Sequence, residues 1–178
     1  KRNVQTLSTT PANWTNGTNG SSSLQPGSTA LTQYETAVAN DSNVLHDPYG
    51  HGTHVASLAA GRPVTYNVAP DLTGIAPNAD IYDVKVLDAN GQGTISDAME
   101  GIQWVIYHAK EYNIRVMNLS LAADSTETWQ TDPLARAARS AVAAGITVVV
   151  AAGNFGQDAV GAERFGTISS PGHDPSVI

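Results

Sequence analysis

Two histidines, His51 and His54, stand about one helical turn apart in Asp47-Pro48-Tyr49-Gly50-His51-Gly52-Thr53-His54-Val55-Ala56. Small residues around them mark the passage from a loop into a helix. An imidazole presented at the start of a rigid element suits a general base, which must sit within hydrogen-bond reach of the proton it removes. Much further along, Val150-Ala151-Ala152-Gly153-Asn154 fits the same chemistry. A nucleophile to complete it is harder to find.

Composition limits the alternatives. At 178 residues the chain is long enough for one domain with a real core. With 41% hydrophobic and 14% charged residues it reads as globular and lightly charged. A net charge of −7 argues against a nucleic-acid backbone as partner, and no basic run suggests an anionic membrane. The absence of cysteine excludes disulfides and thiolate metal sites. No apolar run approaches the roughly 20 residues of a membrane span. No signal-peptide pattern is present either, which says little about where the chain works.

The segment 1–40 differs from the motif-bearing core, 41–178. Between Thr6 and Thr32 the residues are mostly Ser, Thr, Asn, Gly and Pro, with Trp14, Leu24 and Leu31 as apolar anchors. That composition reads as a long surface excursion. A loop this long is unusual inside a compact domain and suggests that the chain begins in mid-fold. Asn13-Trp14-Thr15 and Asn16-Gly17-Thr18 match the short glycosylation pattern.

Beyond residue 50 helix and strand signals alternate. His51, His54, Val55 and Leu58 recur at helical spacing up to Gly61, predicting a buried helix. Ile81 to Leu87 reads as a strand, Asp88 to Gly93 as a turn-rich loop, and Thr94 or Ser96 as the cap of a helix. In that helix Ala98, Ile102, Val105, Ile106 and Ala109 form the apolar stripe. Val116 to Leu121 is a second strand. Asp132-Pro133 opens a helix through Ala144 that Gly145 stops. Ile146 to Ala151 is a β-branched run of the kind buried on both faces. This order predicts an α/β fold: a mostly parallel sheet in a three-layer αβα arrangement. Sites in such folds form past the C-terminal ends of strands, where Asn154 and the Asn90–Gly93 loop fall.

His51-Gly52-Thr53-His54-Val55-Ala56 resembles the histidine motif of the subtilisin-like serine proteases (subtilases). The resemblance continues through Gly74-Ile75-Ala76-Pro77-Asn78-Ala79, Val84-Lys85-Val86-Leu87-Asp88 and Asn118-Leu119-Ser120-Leu121. It runs on through Val148 to Asn154 and Pro175-Ser176-Val177-Ile178, in family order. It implies a subtilisin-like fold, truncated at both ends, and a secreted serine endopeptidase acting on peptide or protein substrates. His51 would be the general base serving a serine hydroxyl. His54 would be buried and structural. Asn154 would donate its side-chain amide to the oxyanion, a neutral donor aimed at charge that develops only in the transition state. Gly91-Gln92-Gly93 and Ser120-Leu121-Ala122 would be two edges between which a substrate strand pairs. Ala151, Ala152 and Gly153 would line the pocket for the residue before the cut. Leu87 and Ile95 would either wall a further apolar subsite or pack in the core. The resemblance implies no cofactor, with calcium as the one metal to weigh.

Three departures qualify this. The family's glycine-threonine-serine-methionine-alanine run is absent, and in the family it follows well after Pro175-Ser176-Val177-Ile178. No aspartate before His51 sits in the family's setting. Asp41-Ser42 is the nearest, but Thr36 to Asn40 is a weak strand, and an acid at Asp47 would lie beside the groove. Nucleophile and triad aspartate are therefore expected outside residues 1–178, which would make a complementary fragment of the same domain a partner. Third, Ser57 and Ala122-Ala123 stand where the family has glycines, and the methyl groups should crowd the groove. That keeps two alternatives open: a non-catalytic peptide- or protein-binding relative, and an esterase or other acyl hydrolase on the same scaffold. Between Gly61 and Leu72 only Asn67 and Asp71 are plausible oxygen ligands, well short of the six to eight that calcium prefers.

Overall fold

The structure, a computed structural model, describes residues 2–3, 29, 32, 36, 47–62 and 71–178. Both glycosylation patterns, Asp41-Ser42 and Asn67 lie outside the described residues. So does nearly all of the polar excursion. At its end Thr29, Thr32 and Thr36 are helical; of the weak strand expected over Thr36 to Asn40, only Thr36 is among the described residues. The Thr36 hydroxyl donates to the Thr32 carbonyl at 2.7 Å, the back-bond that lets a β-branched residue sit in a helix.

Two compact units divide the chain, Lys1–Asp97 and Ala98–Ile178. In the first, β1 (Arg2–Asn3) pairs in parallel with β2 (Val84–Lys85). The predicted strand Ile81–Leu87 is thus only two residues long, and its partner comes from the segment read as an excursion. α1 spans His51–Ala60. Its C-terminal carbonyls are taken by a returning stretch of chain: Gly74, Ile75 and Ala76 donate their N–H groups to Gly61, Leu58 and Ala59 at 2.9, 3.1 and 2.8 Å. The approach is close. A Cβ on Gly74 would fall 2.7 Å from the Ala60 nitrogen, so this backbone-to-backbone cap needs glycine. No residue of α1 is buried, contrary to the sequence expectation. Only Val55, Ala56 and Ala60 are half-buried, and His54 and Leu58 face solvent. The returning chain meets the helix through its backbone at one end and leaves the apolar stripe uncovered.

The last helix to begin before Asp97 is α2, Ile95–His108. Thr94 and Asp97 cap it reciprocally: the Thr94 N–H and hydroxyl donate to Asp97 Oδ2 at 3.0 and 2.8 Å, and the Asp97 N–H returns to Thr94 Oγ1 at 3.1 Å. Its predicted stripe is buried at Ala98, Ile102 and Val105, with Trp104 added.

The second unit holds β3 (Val116–Leu119), α3 (Pro133–Ala143) and β4 (Thr147–Val150). β3 and β4 pair in parallel over four residues, Val116 opposite Thr147 through Leu119 opposite Val150. The strands thus form two parallel ladders rather than one running through all three predicted strands. Asp132 caps α3, accepting from the Ala135 N–H at 2.8 Å. At the other end Gly145, at φ 88°, closes the helix. There the Gly145 N–H bonds the Val142 carbonyl and the Ile146 N–H bonds Ala141, at 2.9 and 3.1 Å, the paired bonds of a Schellman motif. Leu134, Ala135, Ala138, Ala141, Met117, Ile146 and Val148 are buried. β4 was expected to be covered on both faces; Val148 is buried, Val149 and Val150 are half-buried and Thr147 is exposed. Among the described residues, β4 pairs beyond β3 only with Ile178, which bonds Val148 and Val150 at 3.0 and 2.9 Å. Among the described residues no helix is long and apolar enough to cross a membrane.

Candidate functional site

Half of the predicted site lies in the first unit. His51 is the first residue of α1, following Gly50, which turns the chain at φ 83°. Its side chain is exposed. Asp47 does not act on it. The Asp47 carboxylate accepts from the Gly50 N–H at 2.8 Å through Oδ1, and from the Thr53 N–H and hydroxyl at 2.8 and 2.9 Å through Oδ2. The bonds from the Thr53 and Gly50 amides hold it below the usual carboxylate range. It thus caps the helix from outside, satisfying amides that Gly50 cannot reach with a side chain. Ser57, expected to crowd the groove, turns its hydroxyl back to the Thr53 carbonyl at 2.5 Å.

Gly91-Gln92-Gly93 was expected to be an extended edge. It is largely a turn: the Asp88 N–H donates to the Gln92 carbonyl at 2.7 Å and the Gly91 N–H to the Asp88 carbonyl at 3.1 Å. Asp88 Oδ1 accepts from Asn90 and Gln92 at 2.8 and 2.9 Å, and the Gln92 and Asn90 amides lower its pKa. Gln92 thus spends both its backbone groups inside the turn. Among the described residues, the Gly91 carbonyl and the N–H and carbonyl of Gly93 are left to pair with a partner. Gly91 sits at φ 74°, and a Cβ on Gly93 would run into the Val86 carbonyl oxygen. Leu87 is half-buried and Ile95 is exposed.

The second unit laces three segments together. The Ala151 N–H donates to Leu119 at 3.1 Å, and the Ser169 N–H to Ala152 at 3.0 Å. Ala123 and Ser170 exchange bonds at 2.9 and 3.0 Å as an isolated antiparallel bridge. Ser120, Leu121 and Ala122 thereby emerge beside Ala151, Ala152 and Gly153. Among the described residues no backbone group takes the N–H or carbonyl of Ser120, Leu121 or Ala122, so this is an open edge. Ala123 is not part of it, because Ser170 uses both its backbone groups.

The sequence reading missed Ser169. It is buried, and its hydroxyl fills the place a side chain on Gly153 would take: a Cβ there would lie 2.6 Å from Ser169 Oγ. Gly153 is also at φ 96°. Only the residue type and its place before Ser170-Pro171 could have pointed to it. Behind this wall lies Asp132. Burial raises its pKa, but bonds from Ser125, Ser170 and Ala135 more than offset that and leave it below the usual range. The Ser170 hydroxyl donates to it at 2.7 Å. Arg139 fixes the same turn by donating to Asp174 at 2.7 Å.

Asn154 follows Gly153 past the end of β4. Among the described residues no hydrogen bond engages its amide, and it is exposed. Among the described residues its side chain caps no turn. Asn154 borders an open depression of about 540 Å³ lined also by Gly156, Gln157, Glu163, Arg164 and Phe165. As for calcium, Asp71 accepts from the Thr73 N–H at 3.0 Å in a local turn. Among the described residues no three acids or histidines are grouped to hold a metal.

The chain matches the subtilase family over residues 11–178. It is 39% identical over 150 residues to the serine protease AprX of Bacillus subtilis (strain 168), covering 79% of this chain and 31% of that protein. It is 40% identical over 132 residues to subtilisin DY of Bacillus licheniformis, covering 74% of this chain and 42% of the relative. It thus spans about a third of the length of the first and two-fifths of the second. Among solved structures, the S41 psychrophilic protease superposes with a TM-score of 0.53 at 32% identity, over 68% of this chain and 36% of that one. Motifs in order, a shared α/β subtilisin-like fold and a match along nearly the whole chain agree with one another: the chain belongs to the subtilase family.

Proposed function

We propose that this chain is the central part of a secreted serine endopeptidase catalytic domain. His51 is its general base and Asn154 its oxyanion donor. A serine and an aspartate from outside residues 1–178, on a complementary segment of the same domain, complete the triad. The observation that carries the reading is Asn154. Its amide is exposed and unbonded among the described residues, held past a packed strand by a glycine at φ 96°. Such a donor needs no rearrangement when negative charge appears on the substrate carbonyl oxygen. His51, held at the start of a capped helix, takes the serine proton and returns it to the leaving amine. The open groups at Gly91 and Gly93 form one edge that offers backbone partners to an extended substrate, and those of Ser120–Ala122 form another. The substrate side chain before the cut lies along Ala151, Ala152 and Gly153, with Ser169 behind.

The pure 178-residue chain should not label with a fluorophosphonate. Stoichiometric labelling together with cleavage of a peptide ester would overturn the assignment of the nucleophile to another segment. In a catalytic domain that joins these residues to a serine, Asn154→Ala should lower kcat by about 10²–10³, the loss known for a single oxyanion donor in a subtilisin. A rate on peptide anilides far below that on short nitrophenyl esters would instead favour the acyl-hydrolase alternative.

A further inference from the structure

Tyr49 has no role in the chemistry above, yet it is the side chain that touches the Gly91 turn. A Cβ on Gly91 would fall 2.9, 2.8 and 2.9 Å from Tyr49 Cδ1, Cε1 and Cζ. Near-equal distances to three adjacent ring atoms mean that the ring lies with its face over Gly91. Side chains do not approach so closely, so the ring occupies the volume that a residue other than glycine would need. Gly91 lies at φ 74°, a conformation that already favours glycine. Tyr49 nevertheless remains 61% exposed. A ring so open is not there to build a core.

Both ends of this contact are fixed locally. On one side Asp47 holds the Gly50 and Thr53 amides, which sets Tyr49 immediately before the start of α1. On the other side Asp88 holds the Asn90 and Gln92 amides and closes the turn that carries Gly91. The two locally bonded pieces, one bearing His51 and the other the open groups of Gly91 and Gly93, are in contact through the Tyr49 ring.

We propose that Tyr49 is a positioning residue: by stacking on Gly91 it sets the open Gly91 carbonyl and Gly93 backbone groups relative to the helix start that carries His51. It thereby governs how well an extended peptide pairs with that edge. This rests on the reading of Gly91–Gly93 as a peptide-binding edge. The contact runs through ring carbons, so a phenyl ring serves as well as a phenol, and alanine does not.

The test uses the full 178-residue chain as parent, Tyr49→Phe and Tyr49→Ala. Amide exchange is followed at Gly91–Gly93 and at Thr53. Affinity is measured for tetra-alanine amide and for the same peptide N-methylated at alternate residues, which cannot pair with an edge. In Tyr49→Ala, exchange at the bonded Gly91 and Gln92 amides should rise about tenfold while Thr53 stays unchanged. Affinity for tetra-alanine amide should fall about fivefold in the same variant. Tyr49→Phe should restore both to the parent values. Equal exchange in all three proteins overturns the proposal, as does faster exchange in Tyr49→Phe as well as Tyr49→Ala, which would assign the effect to the hydroxyl. If the parent binds both peptides equally, the edge reading fails, and the exchange data still decide whether Tyr49 holds the turn.

Discussion

The two units hold the candidate residues that each carries by different means. Among the described residues, the buried apolar side chains all belong to Ala98–Ile178, among them Ile102, Leu134, Ile146 and Val148. There Asn154 and the Ser120–Ala122 edge stand on strands and a helix that pack against one another. In Lys1–Asp97, His51, the proposed base, begins a helix with no buried residue, held by the Asp47 carboxylate and by the backbone of Gly74–Ala76. The proposed oxyanion donor, Asn154, follows a packed strand. The histidine side is fixed by directional bonds, which are short-ranged and exposed to water. An oxyanion donor must be rigid before charge appears, whereas a base that shuttles a proton tolerates some local freedom.

This contrast can be broken by substitution. Leu134→Ala, at a side chain only 1% exposed, should cost about 3 kcal/mol in urea unfolding, because it leaves a cavity in the core of the second unit. A cost below about 1 kcal/mol would mean that the second unit is not built on its core. Asp132→Ala removes the α3 cap and strands the Ser170 hydroxyl, and should cost about 2 kcal/mol by the same measurement.

Acid should sharpen the contrast. Asp132, Asp47 and Asp88 are all held below the usual carboxylate value in the folded chain. Groups so depressed contribute stability that is present above their unfolded pKa, about 3.9, and is lost as pH falls through the folded value. Helical circular dichroism should therefore hold from neutral pH to about 4 and decline below it. Asp132→Asn, which keeps an acceptor but cannot titrate, should flatten that decline. At the small end, Leu58→Ala on α1 should change stability by less than about 0.5 kcal/mol, since Leu58 is 61% exposed. A larger loss would show that the apolar face of α1 is covered in solution.

What the sequence made legible follows the same division. α3 could be read nearly to the residue, because Asp132, Pro133 and Gly145 are local signals acting within one turn of the helix they bound. The α2 stripe was legible from its period, and the strand ahead of Asn154 from its continuous β-branched run. The β1–β2 ladder was not: two residues on each side carry no period, and the pairing joins segments far apart in sequence. The exposure of His54 and Leu58 was missed for a related reason, since helical spacing says which face is apolar and not whether anything covers it. In the site, His51 and Asn154 came from motif. Ser169, Tyr49 and the cap made by Asp47 depend on what each side chain touches across a turn, which spacing alone does not encode.

The contact between Gly61 and Gly74 has a consequence for how this chain can vary. The Gly74 N–H donates to the Gly61 carbonyl at 2.9 Å, so the intervening stretch begins and ends at one pinned point on α1. Closing a loop grows costlier only slowly with its length, by about 0.6 kcal/mol for each doubling. Insertions and deletions between Arg62 and Asp71 can therefore accumulate while the helix that carries His51 keeps its closure.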